Sequence, residues 1–448
     1  MDTLKIKAVK GIYVRMLQKP AKTCNINYVS YISSFIFRQS KYIIMKLLSL
    51  LAFAVLMSSC SPKIKATKPD SASLNIKTGA EQTELYLPLL KGKRVAVLAN
   101  QTSIIGKTHL VDSLQKLGVK IVKVFGPEHG FRGNASAGAK IADAIDERTG
   151  IPIISLYGKK NKPSNEDLQD VDILIYDLQD VGVRFYTNIN ALARLMEACE
   201  ANKKPLLILD RPNPNGYLID GPVLDMKYKS GIGMFPIPMS HGLTVGEFAQ
   251  MVNGEGWLNN KVKAAIKIIP VANYTHDTPY TLPVPPSPNL NTQQAILLYP
   301  SVCMFEGVYV NHGRGTYNPF TVLGSPAYKG IYNFSFTPKS IKGMAETPIF
   351  MDEVCYGIDL RNYDTELLRK SKKINFSWIK ELYKAHPQKE KFFESKFSNQ
   401  MNNIEIQIGR GDFRQQIIDD VPIETIRAGW EPSLKAYKKM RLKYLLYP

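Results

Sequence analysis

From residue 94 onward, short apolar runs alternate with stretches of helical periodicity. The runs are 94–100 (RVAVLAN), 120–126 (KIVKVFG), 151–157 (IPIISLY), 171–176 (VDILIY) and 205–209 (PLLIL). Each is short and mostly rich in β-branched or leucine side chains, which predicts buried strands. Residues 108–117 and 188–201 repeat their apolar positions at helical spacing, and Asn188 to Ala201 is the stronger helix. Near-continuous apolar strands separated by helices predict an α/β fold: a doubly wound, mostly parallel sheet covered on both faces. Thr244, with Glu247 three positions on, reads as a capping box opening a helix over 245–253. The run 283–289 (PVPPSPN) marks a boundary between a catalytic domain, 81–291, and a smaller C-terminal α+β domain, 292–448. The second domain is expected to pack over the crevice of the first, with helices at 377–384 and 432–446.

Polar residues gather at the carboxyl end of each predicted strand, where an open α/β sheet binds ligands. Asn100 and Gln101 follow the first run. Glu128, His129 and Arg132 follow the second, within Gly126-Pro-Glu-His-Gly-Phe-Arg-Gly133. Asp177, Gln179 and Asp180 follow the fourth, with Arg184 and Tyr186 close behind. Asp210, Arg211 and Asn213 follow the fifth. His241, Glu306 and Arg314 complete the set, Arg314 lying in a Gly-Arg-Gly turn.

The chain before residue 60 reports on address, not on fold. From Met45 to Cys60 a basic start, an apolar core and a Ser-Ser-Cys end resemble a bacterial lipoprotein signal, with lipidation expected at Cys60. An ordinary signal peptide with an incidental cysteine is the alternative. Residues 1–44 read as a non-native extension, and 61–80 as a flexible tether. The expected location is the periplasm or cell envelope, anchored to a membrane by lipid. The formal net charge is +19, and residues 1–44, with eight Lys or Arg against one Asp, supply +7 of it. The rest still favours anionic surfaces. No basic run interleaved with aromatics appears, so nucleic acid is not an expected partner. Cys199, Cys303 and Cys355 have no close spacing and read as buried hydrophobes.

Several common chemistries lack their signatures. Residues 104–108 (IIGKT) end like a phosphate-binding loop, but Gln101 stands where its first glycine belongs. No G-x-G-x-x-G follows the first strand, and no G-x-S-x-G occurs. The six histidines form no H-x-x-x-H pair, so no metal and no cofactor is expected. Carboxylates on a polar rim remain, and they suit glycosidic cleavage, which needs an acid to protonate the leaving oxygen. Glu128, on a Gly-Pro turn between Phe125 and Phe131, is the candidate acid because desolvation raises a carboxyl pKa. The alternative is a helix cap or a partner for Arg132. Asp177, Asp180 and Glu306 are candidates for the second catalytic role, or anchors of their loops. Arg184 and Arg314 are candidate anion clamps, or rim salt bridges. His129 and His241 are candidates to orient Glu128 or contact hydroxyls; Tyr157, Phe185 and Tyr186 are candidates to stack on a sugar.

Five stretches in order, residues 100–103 (NQTS), 126–133 (GPEHGFRG), 176–187 (YDLQDVGVRFYT), 210–214 (DRPNP) and 305–307 (FEG), resemble the NamZ-type exo-β-N-acetylmuramidases. The resemblance spans about Thr78 to the end of the chain. It implies a Rossmann-like domain joined to a smaller C-terminal domain, with the cleft between them. It also implies release of N-acetylmuramic acid from non-reducing ends of peptidoglycan fragments, with Glu128 as the catalytic glutamate. The lactyl carboxylate of that sugar would engage an arginine clamp. After Phe305-Glu-Gly the family runs Thr-Asn, whereas this chain has Val308-Tyr309. A non-catalytic lipoprotein that binds wall fragments is the alternative, and an amidase a further one.

Overall fold

Seven strands form the central sheet of the computed structural model, which describes residues 75–127, 130–132, 143–158, 160–394 and 404–448. The signal segment with Cys60, the tether up to residue 74, and the pair Glu128 and His129 lie outside the described residues. The strands are β1 (Arg94–Ala99), β2 (Lys120–Gly126), β3 (Ala144–Ile145), β4 (Pro152–Ser155), β5 (Ile173–Asp177), β6 (Leu206–Leu209) and β7 (Ile266–Ile269). Their order is β7-β6-β5-β1-β2-β4-β3. All neighbours are parallel except β3, which runs antiparallel to β4 at the edge. Without β3 this is the doubly wound order, with β1 central and the chain turning from β2 on one side to β5 on the other. The switch point therefore lies between β1 and β5, where Leu98 is registered with Tyr176.

The two-residue period of a strand explains why its runs are apolar throughout. Val95, Val97, Ala99 and Ile175 face one way, against α1 (Thr83–Leu90) and α2 (Leu110–Lys116). Ala96, Leu98, Tyr176 and Ile208 face the other, against α3 (Asn188–Ala201) and α4 (Val245–Gly254). Each buried aliphatic side chain of this kind contributes roughly 1.5–3 kcal/mol. The predicted capping box of α4 is present: Thr244 Oγ1 accepts from Glu247 N at 3.3 Å, and Glu247 Oε2 accepts from Thr244 N at 2.9 Å. The pattern did not predict β3 or β7. Both are edge strands: both side chains of β3 and Lys267 of β7 are exposed, so neither strand reads as a continuous apolar run.

Residues 77–80, assigned to the tether from composition, belong to the fold. Lys77 pairs with Ala272, Gly79 N donates to Asp210 O at 2.8 Å, and Ala80 is buried. In the C-terminal region, α5 (Gln293–Val302) leads into a turn over Cys303–Gly307. A three-stranded antiparallel sheet follows: β8 (Val322–Ser325), β9 (Phe334–Phe336) and β10 (Cys355–Asp359), with β10 in the middle. Helices α6 (Ser377–Ala385) and α7 (Glu431–Arg441) follow; α6 and Leu434 of α7 join the core of this region, and Tyr437 of α7 joins that of the large sheet. The hydrophobic core here is shared, because Val181, Val183, Phe185 and Met239 from the loops above the large sheet enter it. The chain's end crosses back as well: Tyr437 donates to His241 O at 2.8 Å, and Tyr447 to Asp210 Oδ2 at 2.6 Å.

Candidate functional site

A cavity of about 180 Å³ opens at the switch point. Asn100, at the end of β1, and Tyr186 and Asn188, at the start of α3, form one side. Ser287 and Asn289 of the proline-rich segment, with Glu306 and Arg314 of the C-terminal region, form the other. Phe185, Tyr299 and Phe320 supply aromatic surface. Polar groups that converge on aromatic walls are what a sugar requires, since its ring has apolar faces and hydroxyl edges.

The loops after β1 and β5 are locked together. Asn100 Oδ1 accepts from Thr102 N at 2.9 Å and Thr102 Oγ1 at 2.6 Å, and Thr102 Oγ1 accepts from Gln179 N at 3.1 Å. Asn188 Nδ2 donates to Gln179 O at 2.8 Å. His109 Nε2 lies 2.9 Å from Asn100 O, and its ring meets Phe131 edge-on at 4.7 Å. Phe131 is a described flank of the loop that leaves β2, so that flank reaches the same rim as Asn100. Gly130 N donates to Pro127 O at 3.0 Å.

Glu306 and Arg314 form the charged wall. Arg314 Nη2 donates to Glu306 Oε1 at 2.7 Å and Arg314 Nε to the same oxygen at 3.2 Å. His312 Nε2 lies 3.1 Å from Arg314 Nε. Burial pushes the Glu306 carboxyl up, but the Arg314 charge and the contacts of His312 and Arg314 overcome it and hold the pKa at about 2. Burial lowers that of His312, which keeps the imidazole neutral. Gly313 and Gly315 both take positive φ, +87° and +83°, which lets the turn present Arg314 between them. Val308 and Tyr309, where the chain departs from the family pattern, point elsewhere: Val308 is buried and the Tyr309 ring packs on Phe350 at 4.6 Å.

Other predicted site residues do not line this cavity, and for Asp177 and Asp180 the structure shows the anchoring alternative that the sequence left open. Asp177 is fully buried, with its two oxygens 2.6 and 2.8 Å from Arg211 Nε and Nη2. It anchors the ends of β5 and β6 and is not among the residues that line the cavity. Asp180 is also buried; its Oδ2 accepts from Gly182 N at 2.7 Å and lies 3.4 Å from His241 Nε2, whose ring is buried too. Arg184 is 1% exposed and directs Nη1 and Nη2 to the carbonyls of Pro222, Ile237, Gln407 and Ile408. It is a strut between the two halves of the molecule, not an anion clamp, and burial lowers its pKa to about 9. Arg132 bridges Asp112 and Asp146, away from the cavity lining. Gln179 Nε2 donates to Asp180 O and Pro212 O, and Asn213 Nδ2 to Leu243 O. Both hold loop backbone. Gln101 Nε2 donates to Pro285 and Pro286 carbonyls beside an adjoining depression that shares Ser287 with the cavity.

Asp210 is a structural anchor. Oδ1 accepts from Arg211 N and Gly246 N, Oδ2 from Thr244 Oγ1 and Tyr447 Oη, and burial raises the pKa to about 6. Sequence reading missed Ser287 and Asn289 as cavity residues. Their proline-rich run reads as a domain boundary; in the structure it also forms a wall, with Pro286 O accepting from Tyr186 Oη at 2.8 Å. Among the described residues, no three His, Cys, Asp or Glu side chains converge as a metal site would need.

Comparison with known proteins adds to this geometry. Residues 95–294 match the family model described as exo-beta-N-acetylmuramidase NamZ, N-terminal, and residues 297–447 match its C-terminal counterpart. The peptidoglycan beta-N-acetylmuramidase NamZ of Bacillus subtilis (strain 168) is 34% identical over 406 residues, covering 85% of this chain and 95% of that protein. Two DUF1343 family proteins of Bacteroides fragilis NCTC 9343 have similar crystal structures. One is 45% identical with a TM-score of 0.76, covering 83% of this chain and 99% of that one. The other is 27% identical with a TM-score of 0.70, covering 84% and 100%.

Proposed function

The chain belongs to the NamZ family of exo-β-N-acetylmuramidases, and we propose that it releases N-acetylmuramic acid from the non-reducing ends of peptidoglycan fragments. The observation that carries this is the cavity at the switch point, with Glu306 and Arg314 on one wall and Asn100 and Tyr186 on the other. Its volume, about 180 Å³, is below the roughly 300–1,000 Å³ of drug-sized sites and suits one sugar ring. A site for one terminal ring is what exo action requires.

Cleavage needs a group that holds a proton near neutral pH and gives it to the leaving oxygen. Glu306 is not that group, because it is held ionised. Asp177 and Asp180 are buried and do not line the cavity. Glu128 is the acid in this reading. Its support is the rim position of the described flanks of its loop, together with the GPEHGFRG stretch that carries the family resemblance. A chromogenic β-N-acetylmuramide and the matching glucosaminide test the proposal. The purified protein is expected to cleave the muramide, and Glu128→Gln to lose at least about 100-fold in turnover. Binding without release from either sugar would leave the non-catalytic alternative standing.

The same proposal places the enzyme in the cell envelope as a lipoprotein. Residues 45–60 support it through the signal pattern that ends in Cys60. Palmitate labelling that disappears in Cys60→Ala is the expected result; labelling that persists would sink the anchor.

A further inference from the structure

Arg314 differs from the other arginines near the switch point in how its donors are used. Arg184 directs both Nη groups to four backbone carbonyls. Arg211 closes on both oxygens of Asp177 at 2% exposure. Arg132 holds two carboxylates at once, with Nη2 2.9 Å from Asp112 Oδ1 and 2.7 Å from Asp146 Oδ2. Arg314 turns Nε and Nη2 to a single oxygen of a single carboxylate, is 30% exposed, and lines the cavity.

We propose that Arg314 is the specificity-determining residue of the site: it receives the carboxylate of the substrate's 3-O-lactyl group and thereby separates muramic acid from glucosamine. This rests on the glycosidase reading above. Muramic acid differs from glucosamine by that lactyl ether alone, so selectivity between them needs a group that recognises an extra carboxylate. Arg132 shows within this same chain that one guanidinium accommodates two carboxylates; at Arg314 the second comes from the ligand. The planar guanidinium offers paired donors that match a carboxylate.

Arg314 is also held in place before the ligand arrives. Glu306 grips one edge, His312 Nε2 abuts Nε, and the Phe320 ring lies 5.4 Å from the guanidinium carbon. Glycines at positive φ flank it on both sides. Fixing a long side chain in advance removes an ordering cost that binding would otherwise bear. A glucosamine ligand leaves the open edge of this cation without its partner, and a site built for a polar group rejects the analogue that lacks it.

Calorimetry on the full chain with N-acetylmuramic acid and its lactyl methyl ester tests the proposal. The wild-type protein is expected to bind the acid about 100-fold more tightly than the ester. In Arg314→Gln that ratio is expected to fall below about 5-fold, and Arg314→Lys, which keeps the charge but not the paired donors, to lie between. Equal binding of acid and ester by the wild type would overturn the assignment, and that arm does not depend on any variant folding. Cleavage of both the muramide and its ester at equal rates would remove the clamp and keep the glycosidase. Discrimination of acid from ester without cleavage of either sugar would keep the clamp and remove the glycosidase.

Discussion

Asp177–Arg211 and Glu306–Arg314 are the same chemical pair in two settings. The first bridges the ends of β5 and β6 at 0% and 2% exposure, uses both carboxylate oxygens, and adds a bond from Arg211 Nη2 to Ile104 O. The second lines a cavity at 23% and 30% exposure, with both arginine nitrogens on one oxygen. Their carboxyl groups diverge accordingly: burial raises Asp177 despite Arg211, whereas Arg314 and His312 bring Glu306 down to about 2. What separates an anchor from a binding wall is the edge left facing a cavity, not the identity of the partners.

The contrast can be broken most severely at the closed pair. Asp177→Asn leaves Arg211 buried without a counter-charge and is expected to lose about 3–5 kcal/mol in chemical denaturation. The apolar double variant Asp177→Leu/Arg211→Met should recover most of that loss; if it does not, the pair has a role beyond anchoring. Next in size is the strut. Arg184→Met removes the donors of four buried carbonyls and is expected to cost about 2–3 kcal/mol, read by the same denaturation. An unchanged midpoint would deny Arg184 its structural role.

A third expectation concerns pH. Asp210 has a folded pKa raised to about 6, above its unfolded value. Its contribution to stability is therefore full below about pH 4 and is lost as pH rises through 6. Asp210→Asn should remove up to about 3 kcal/mol of that pH dependence, seen as the difference between the two stability curves from pH 4 to 7. The opposite sign would mean that its four donors outweigh burial. Glu306 has a lowered pKa, so its contribution is full above about pH 4.5 and is lost only as pH falls through 2. The smallest stability effect belongs to the open pair. Glu306→Gln is expected to cost about 1–2 kcal/mol at pH 7, less than the closed pair, because partial exposure screens the charges. Its effect should appear instead in muramide affinity, weakened about 10-fold as Arg314 loses its holder. A large stability loss there would erase the distinction between the two pairs.

Much of the frame was readable in advance. The runs at 94–100, 120–126, 171–176 and 205–209 became central strands within a few residues, because apolar continuity over so short a span has one stable solution in a sheet covered on both faces. The same local logic located α3 and the capping box at Thr244. Residues 108–117 were only partly legible: the helix starts at Leu110 because Thr108 and His109 pair with Ile104 and Ile105 in a small hairpin. The proline-rich run at 283–289 was legible as a boundary, close to where the two family models meet, but not as a cavity wall, since proline reports where a ladder ends and not what the segment touches.

By itself the sequence determined the five inner strands of the large sheet, which end of them carries polar groups, and which family the motifs resemble, because periodicity and motif order are properties of neighbours along the chain. Only the tertiary structure decided which of those polar groups meet a ligand. Asp177 closes β5, Asp180 and Arg184 follow it, and Arg314 lies in a Gly-Arg-Gly turn, so local sequence marks all four alike as charged residues at the end of an element. Their fates separate through partners distant in sequence: Arg211 for the first, His241 for the second, and the carbonyls of Gln407 and Ile408 for the third. Arg314 alone of the four meets a nearby partner, Glu306, and keeps an edge on the cavity. Burial and long-range pairing set the electrostatics of each group, and neither is written in local spacing.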